Sequence, residues 1–324
     1  MHQLGRQVRR RLVEDDGRDV QRAARTEVER SGERAGRVAG QLQGAELIAS
    51  QLLDTGQAST LLPVVVAFAG VLGLLIGSFL NVVIWRVPRG ESIVSPPSAC
   101  PRCGRRISAR DNIPLVSWML LRGRCRSCHE PISWRYPLVE LGTAILFVAV
   151  TLRFGATLTT PAFAYLAAIA IALGLIDLDV HRLPNAIVLP AYPTGAALLA
   201  LASGGSADWY ALTRAAIGGA VLYSVYFALM AGSSLLLGRT GMAFGDVKLA
   251  GVLGMYMAWL GWGPLVVGSF AAFLLGGVFS IALLAMHVAD RKTQVPFGPW
   301  MLLGAAVGIV AGESLWSAYL GLMI

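Results

Sequence analysis

Leu265-Val-Val-Gly-Ser-Phe-Ala-Ala-Phe-Leu-Leu-Gly-Gly-Val-Phe-Ser-Ile-Ala-Leu-Leu-Ala-Met286 runs without a charged residue. It is longer than the roughly 18 to 20 apolar residues that cross ~30 Å of hydrocarbon as a helix. Ala164–Ile176 is almost as apolar, and neither run shows the alternation of a membrane barrel strand. In lipid the backbone must satisfy its own polar groups, so such runs read as helices. The rest of the chain agrees: 324 residues that are 55% hydrophobic and 14% charged carry more apolar surface than one globular core can hide. The fold class read from this pattern is an all-α polytopic integral membrane protein. About eight transmembrane helices are expected, at 61–85, 137–153, 159–177, 183–202, 212–237, 247–262, 264–288 and 298–320.

Charge sets the orientation. The connection 86–136 carries ten arginines, from Arg86 to Arg135, against Glu91, Asp111 and Glu130. The positive-inside rule makes that loop cytoplasmic. Alternation then brings Asp177, His181 and Arg182, next Arg239 and Lys248, and finally Asp290, Arg291 and Lys292 to the same face, leaving the outer connections chiefly Arg153, Asp208 and Arg214. The net charge of +8 is therefore read as topology, with no nucleic-acid partner expected. Residues 1–60 are polar and Arg/Glu/Ala-rich, neither signal peptide nor spanning helix, and are given no function; a start codon misassigned upstream is the alternative. The domain reading is 1–60 as a polar, helical or disordered extension and 61–85 as the first transmembrane helix. A cytoplasmic Cys-bearing loop domain then covers 86–136, and a seven-helix transmembrane domain 137–324.

Three constellations carry chemistry. Cys100-Pro-Arg-Cys103 and Cys125-Arg-Ser-Cys128 are two C-x-x-C pairs on one loop, with a gap slightly longer than the usual zinc-ribbon range. Four thiolates suit tetrahedral Zn²⁺, and a small loop without a large core gains from a metal staple. Disulfides are the alternative, disfavoured in a reducing compartment. A closed Cys₄ site keeps no open position, so the expected zinc is structural.

The second constellation is Asp177-Leu-Asp-Val-His-Arg-Leu-Pro-Asn185, and the third Gly241-Met-Ala-Phe-Gly-Asp-Val-Lys248, both at cytoplasmic helix boundaries. A carboxylate deep in the membrane costs about 2.5 to 3.5 kcal/mol on insertion scales and usually faces a polar cavity or a partner. The bland alternatives are that Asp177 and Asp179 are interfacial, that Asp246 is an N-cap for a helix starting at Val247, and that Lys248 is an interfacial anchor. Small residues around Gly245 permit close helix approach beside the carboxylate. Taken together the motifs bring Asp177 and Asp246 to one membrane face. Two acids held close cannot both ionise easily, so one keeps a proton while the other activates water. His181 and His287 read as interfacial, while Glu140 and Glu313 lie within or beside apolar spans, Glu140 as a pairing or binding residue.

These residues resemble the bacterial type IV prepilin peptidases, or leader peptidase/N-methyltransferases, over about Leu61 to Met323. The motifs that carry the resemblance are Gly77-Ser-Phe-Leu-Asn-Val-Val-Ile84, the two Cys pairs, Asn112-Ile-Pro-Leu-Val-Ser-Trp118 and Arg135-Tyr-Pro-Leu-Val-Glu140. Asp177 with Leu183-Pro-Asn185, Phe244-Gly-Asp-Val-Lys248 and Pro296-Phe-Gly-Pro299 complete the set. The resemblance implies a GxGD-type aspartyl protease of the bacterial cytoplasmic (inner) membrane, with Asp177 and Asp246 catalytic. It would cleave prepilins or pseudopilins after a glycine, with no cofactor for cleavage. Asp179, Gly245 and Lys248 would be auxiliary, Asp179 through like-charge coupling to Asp177. Methylation of the new amine by S-adenosylmethionine is also implied and is associated with the Cys-bearing loop, its donor site unassigned. Partners implied are the prepilin or pseudopilin substrates, the lipid bilayer and pilus or secretion assembly proteins.

Two departures from the family pattern stand out. Ala243 replaces a glycine of Gly-x-Gly-Asp, at a cost on the order of 1 kcal/mol if that position needs a positive φ. Trp85 replaces a polar residue after the first helix. A transporter using paired acids is the alternative from another class, disfavoured because the acids sit at one face and no repeat is evident. A non-catalytic membrane zinc protein is a third, disfavoured by the two Asp motifs.

Overall fold

The computed structural model describes residues 57–237, 242–286 and 296–323. The readings placed on residues 1–56, Arg239, His287, Asp290, Arg291 and Lys292 lie outside them. The chain divides into two compact units, Met1–Pro63 and Val64–Ile324. Among the described residues there are eight long helices: α1 (Gln57–Arg86), α2 (Arg135–Phe154), α3 (Thr159–Val180), α4 (Asn185–Ser206), α5 (Trp209–Leu237), α6 (Phe244–Leu260), α7 (Trp262–Ala285) and α8 (Gly298–Gly321). All of them belong to the second unit apart from the opening turns of α1. The described residues contain no strand, only two isolated bridges in the connection between α1 and α2.

Seven of these helices are long and apolar enough to cross a membrane, and α6 is the exception. At 17 residues it spans about 25 Å. From Asp246 to Trp259 every residue except Lys248 is buried, so α6 presents no lipid-facing side. A helix apolar all round belongs in a protein interior, and α4, α5, α7 and α8 all pack against it.

Small residues permit that enclosure. In the α5–α6 contact a Cβ at Gly254 would lie 2.6 Å from the Gly218 carbonyl oxygen. Along α8, Gly304, Gly308 and Gly312 recur at one-turn spacing against α7, where a Cβ at Gly304 would lie 2.5 Å from the Ala272 nitrogen. Within lipid there is no hydrophobic force between helices, so close backbone packing of this kind supplies much of the attraction. At the far end of α6, the Arg214 guanidinium donates to the carbonyls of Ala258 and Trp259, and Trp259 Nε1 donates to buried Ser203 Oγ at 2.9 Å. Those carbonyls belong to the last turn, which lacks partners within its own helix.

Between α1 and α2 the chain forms a loop with a one-turn helix, Val116–Leu120. The packing predicts that Gly304→Val destabilises the protein by about 1 to 3 kcal/mol through forced separation of α7 and α8. Gly277→Ala, where nothing lies within 4 Å of the added carbon, should be near neutral. Thermal unfolding in detergent compares the two, and equal midpoints would contradict the packing argument.

Candidate active site and metal centre

The helix carrying Asp246 starts at Phe244, three residues earlier than the sequence predicts. Asp246 is therefore not the residue ahead of the helix. It sits in the first turn and its Oδ2 accepts the backbone N–H of Ala243 at 3.2 Å, satisfying one of the donors that a helix start leaves open. Ala243 has φ −79° and ψ 149°, ordinary extended backbone, so the cost attached to losing a glycine there does not arise. Gly245 is the glycine under constraint, since a Cβ on it would lie 3.0 Å from Leu183 Cβ.

Asp177 occupies the last turn of α3 and is 4% exposed; Asp246 is 6% exposed. Asp177 Oδ2 accepts the backbone N–H of Gly298, the first residue of α8, at 3.0 Å. A Cβ on Gly298 would stand 2.6 Å from that oxygen, so only glycine lets the α8 terminus reach the carboxylate. The two buried carboxylates lie within electrostatic reach of each other. His181 ends α3 in the left-handed conformation, its N–H on the Asp177 carbonyl at 2.9 Å, and its side chain is exposed.

Residues around the pair lock helix ends together. Pro184 precedes α4 as its cap residue. Asn185 Oδ1 then accepts Lys248 Nζ at 2.8 Å, while the ammonium lies 4.5 Å from the centre of the Phe244 ring. Tyr192 donates its hydroxyl to the Lys248 carbonyl at 2.6 Å. Asp179 forms a two-pronged ion pair with Arg135, at 2.8 and 2.5 Å, so its charge is met by a guanidinium where like-charge coupling to Asp177 is the expectation. Glu140 is buried and accepts the Leu115 N–H at 2.8 Å. Glu313 is exposed at the other end of the bundle, near Gly261 and Gly263.

Sequence reasoning assigns no role to Gly298, Asn185, Tyr192 or Arg135. Three of them stand in the motifs Pro296-Phe-Gly-Pro299, Leu183-Pro-Asn185 and Arg135-Tyr-Pro. What the motifs lack is the identity of the partner, which depends on which helix ends meet.

The four cysteines converge as well, their sulfurs all within 4.8 Å of one another. Each C-x-x-C pair sits in the same turn. Cys100 N–H donates to Arg105 and Cys125 N–H to Glu130, while the Gly104 and His129 N–H groups return to the Cys100 and Cys125 carbonyls. Gly104 and His129 both take the left-handed conformation this turn requires. All four are free thiols, and Cys100 and Cys128 sulfurs are 3.7 Å apart, near the ~3.8 Å edge of a tetrahedron with 2.3 Å zinc–sulfur bonds. The backbone N–H groups of Cys128 and Ser127 pull the Cys125 thiol down to about 6. Although the Glu130 N–H favours the Cys128 thiolate, desolvation and the neighbouring sulfurs push that thiol up to about 12. Four sulfurs this close repel a second negative charge, a conflict that a divalent cation removes. The cluster can hold a metal ion. A bidentate pair between Arg126 and Asp111 braces it, and the Arg126 guanidinium holds the Asp111 carboxyl below its usual range.

Comparison with known proteins accords with this arrangement. Residues 71–154, which include all four cysteines, match the model of the bacterial peptidase A24 N-terminal domain, and residues 164–281, which include Asp177 and Asp246, match that of the type IV leader peptidase family. A protein of Aeromonas hydrophila named prepilin leader peptidase/N-methyltransferase is 38% identical over 271 residues, 76% of this chain and 91% of that protein. The protein of the same name from Neisseria gonorrhoeae is 38% identical over 284 residues, 80% of this chain and 95% of its own length. One from Pseudomonas aeruginosa is 36% identical, covering 77% and 91%. No solved structure matches the chain. Two adjoining domain matches and relatives aligned along nearly their whole length leave one conclusion: the chain belongs to the type IV leader peptidase family.

Proposed function

We propose that the protein is an aspartyl endopeptidase of the bacterial inner membrane. It removes the leader of prepilins or pseudopilins after a glycine at the cytoplasmic face, with Asp177 and Asp246 as the catalytic pair. The observation that carries the reading is the pair itself: two buried carboxylates on separate helices, each with one oxygen engaged by a backbone N–H and the other left for chemistry. One carboxylate takes a proton from water as the oxygen attacks the scissile carbonyl carbon. The other, protonated, hydrogen-bonds the developing oxyanion. Collapse of the tetrahedral intermediate breaks the carbon–nitrogen bond, and the departing amine takes up a proton from the pair. Gly298 and Ala243 are preorganised donors that fix carboxylate orientation. The Asn185–Lys248 and Arg135–Asp179 contacts hold the contributing helix ends, an auxiliary role for Lys248 and Asp179. The cytoplasmic assignment rests on the arginine-rich 86–136 connection.

The relatives' shared name supports a second step, methylation of the exposed amine with S-adenosylmethionine as donor. We assign it no residues. The Cys₄ cluster is proposed to hold structural Zn²⁺, with the 86–136 loop as a domain distinct from the peptidase helices. Four thiolates complete its coordination and leave no position for substrate.

Four outcomes are expected. In cells co-expressing a prepilin, Asp177→Asn and Asp246→Asn should each lower leader removal at least about 100-fold, while Asp179→Ala only weakens it. The wild-type product's amino terminus should carry one added methyl group by mass spectrometry. Processing at wild-type rate in either dyad variant would refute the pair. Gly298→Ala should leave the protein folded but slow cleavage by about 10- to 100-fold, because the added carbon displaces the Asp177 carboxylate; unchanged turnover would remove Gly298 from the site. Finally, Cys100→Ser/Cys125→Ser should lose the bound zinc seen in wild type by elemental analysis. Equal metal in both proteins would rule out the cluster as its ligand.

A further inference from the structure

The loop segment Ile113–Leu120 presents apolar side chains outward while its other side is fastened to α2. Val116, Met119 and Leu120 share one face of the one-turn helix by their spacing of three and four, and all three are exposed, Leu120 at 78%. Ile113 lies exposed beside them. The opposite side is committed. Ser117 is buried, donating to the Arg110 carbonyl and accepting the Ile113 N–H. Trp118 packs on Trp134 with ring centres 4.1 Å apart and donates to the Ile132 carbonyl. The exposed face therefore cannot turn inward.

Its depth follows from the hydrogen bond between the Leu115 N–H and Glu140. Glu140 stands five residues into α2, about 7 Å beyond Arg135. On α1 the neighbouring position is Gly77, where a Cβ would lie 2.6 Å from Glu140 Cα, and Gly77 is nine residues, about 13 Å, inside the end of α1 at Arg86. A helical side chain leans toward its helix N-terminus, so the Leu115 backbone lies a few ångström nearer the helix end than Glu140 Cα. That still sets the segment alongside the closing turns of α1 and the first turns of α2, both membrane-spanning by length and composition. The same stretch of α2 turns Tyr136, Leu138 and Leu141 outward. Arg110, Arg122 and Arg124 are exposed, and among the described residues neither Arg122 nor Arg124 forms an ion pair.

We infer that Ile113–Leu120 is a membrane-interface wedge. Its Val116, Met119 and Leu120 face lies at the boundary of headgroups and acyl chains, and Arg122 and Arg124 lie on the phosphates of anionic lipids. An interfacial element buries its apolar face about 5 to 10 Å into the headgroup and acyl boundary, a depth in keeping with attachment at Glu140 near the helix ends. Arginine fits lipid phosphate through its planar donors, and an aromatic pair at the helix start is at home at this level. Glu140 then supplies the acceptor for the backbone N–H of Leu115, a residue held at a positive φ of 58°.

The test uses the full chain in phosphatidylcholine/phosphatidylglycerol bilayers containing a phosphatidylcholine with a diazirine in its upper acyl chain. After irradiation, adducts are mapped by mass spectrometry. The peptide containing Ile113–Leu121 should be labelled to within about two-fold of the exposed α1 stretch around Val71 and Leu75. The Met119→Lys/Leu120→Lys variant should lose at least five-fold of that label with α1 labelling and cysteine-bound metal unchanged. Absence of label on 113–121 while α1 is labelled would overturn the proposal. So would protection of 113–121 by added uncleaved prepilin in an Asp177→Asn background, which would give the face to substrate instead of lipid.

Discussion

The enclosure of α6 is the constraint on which the other helices depend. A 17-residue helix with no lipid-facing side must be contacted along its whole length, and side chains of ordinary size would hold its neighbours too far away. Glycine at Gly218 and Gly254 lets α5 touch it directly, and the glycine row of α8 brings that helix against α7 behind it. Close backbone packing substitutes for the hydrophobic drive that lipid removes. The result is positional. Asp246 is carried by a rigid element surrounded by protein, out of reach of lipid and fixed relative to four other helices.

Enclosure also leaves polar groups in need of partners at the ends of α6, and the partners differ between the two ends. At the Trp259 end, Arg214 and Ser203 satisfy carbonyl and indole groups, and their hydrogen bonds are turned inward to structure. At the Asp246 end, the donors at the starts of α6 and α8 are directed onto carboxylates. A carboxylate held by a backbone N–H is oriented without a competing cation that would quench it. Among the described residues, Lys248 and Arg135 are engaged by Asn185 and Asp179. The two buried acids are thereby left to interact with each other.

The helices and their order were legible because a bilayer admits few structures and apolar length is a strong signal. The boundaries were less so. Phe244 opens α6 although the apolar pattern begins at Val247, because the first turn is fixed by the Asp246 carboxylate folding back on Ala243, a contact that hydropathy does not register. Asp177 and Asp246 stood out as two motifs, both of which the structure buries, and the cysteines stood out by their spacing as a set able to hold a metal ion. Gly298 did not, although its motif was in view: a backbone donor is chemically the same at every residue, and only the meeting of α3 with α8 gives this one a partner. Asp179, for which the resemblance implies like-charge coupling to Asp177, lies two residues further round the helix and pairs with Arg135, a partner that its motif does not name.

Ala243 shows what the glycines of this motif are for. If the Gly-x-Gly-Asp pattern reflected a backbone bend, the first position would require a left-handed residue, and an alanine there would be strained. Its φ of −79° carries no such demand. The steric requirement sits two residues on, at Gly245, where the start of α6 passes against Leu183. Leu183 immediately precedes the Pro184–Asn185 turn that receives Lys248. The same approach that crowds a Cβ at Gly245 thus brings Asn185 within reach of Lys248, joining the segment that follows Asp177 to the segment that carries Asp246. Tolerance of alanine at 243 and the close contact at 245 therefore have one cause: the motif is a contact surface between helix ends, and only the residue in the contact is constrained.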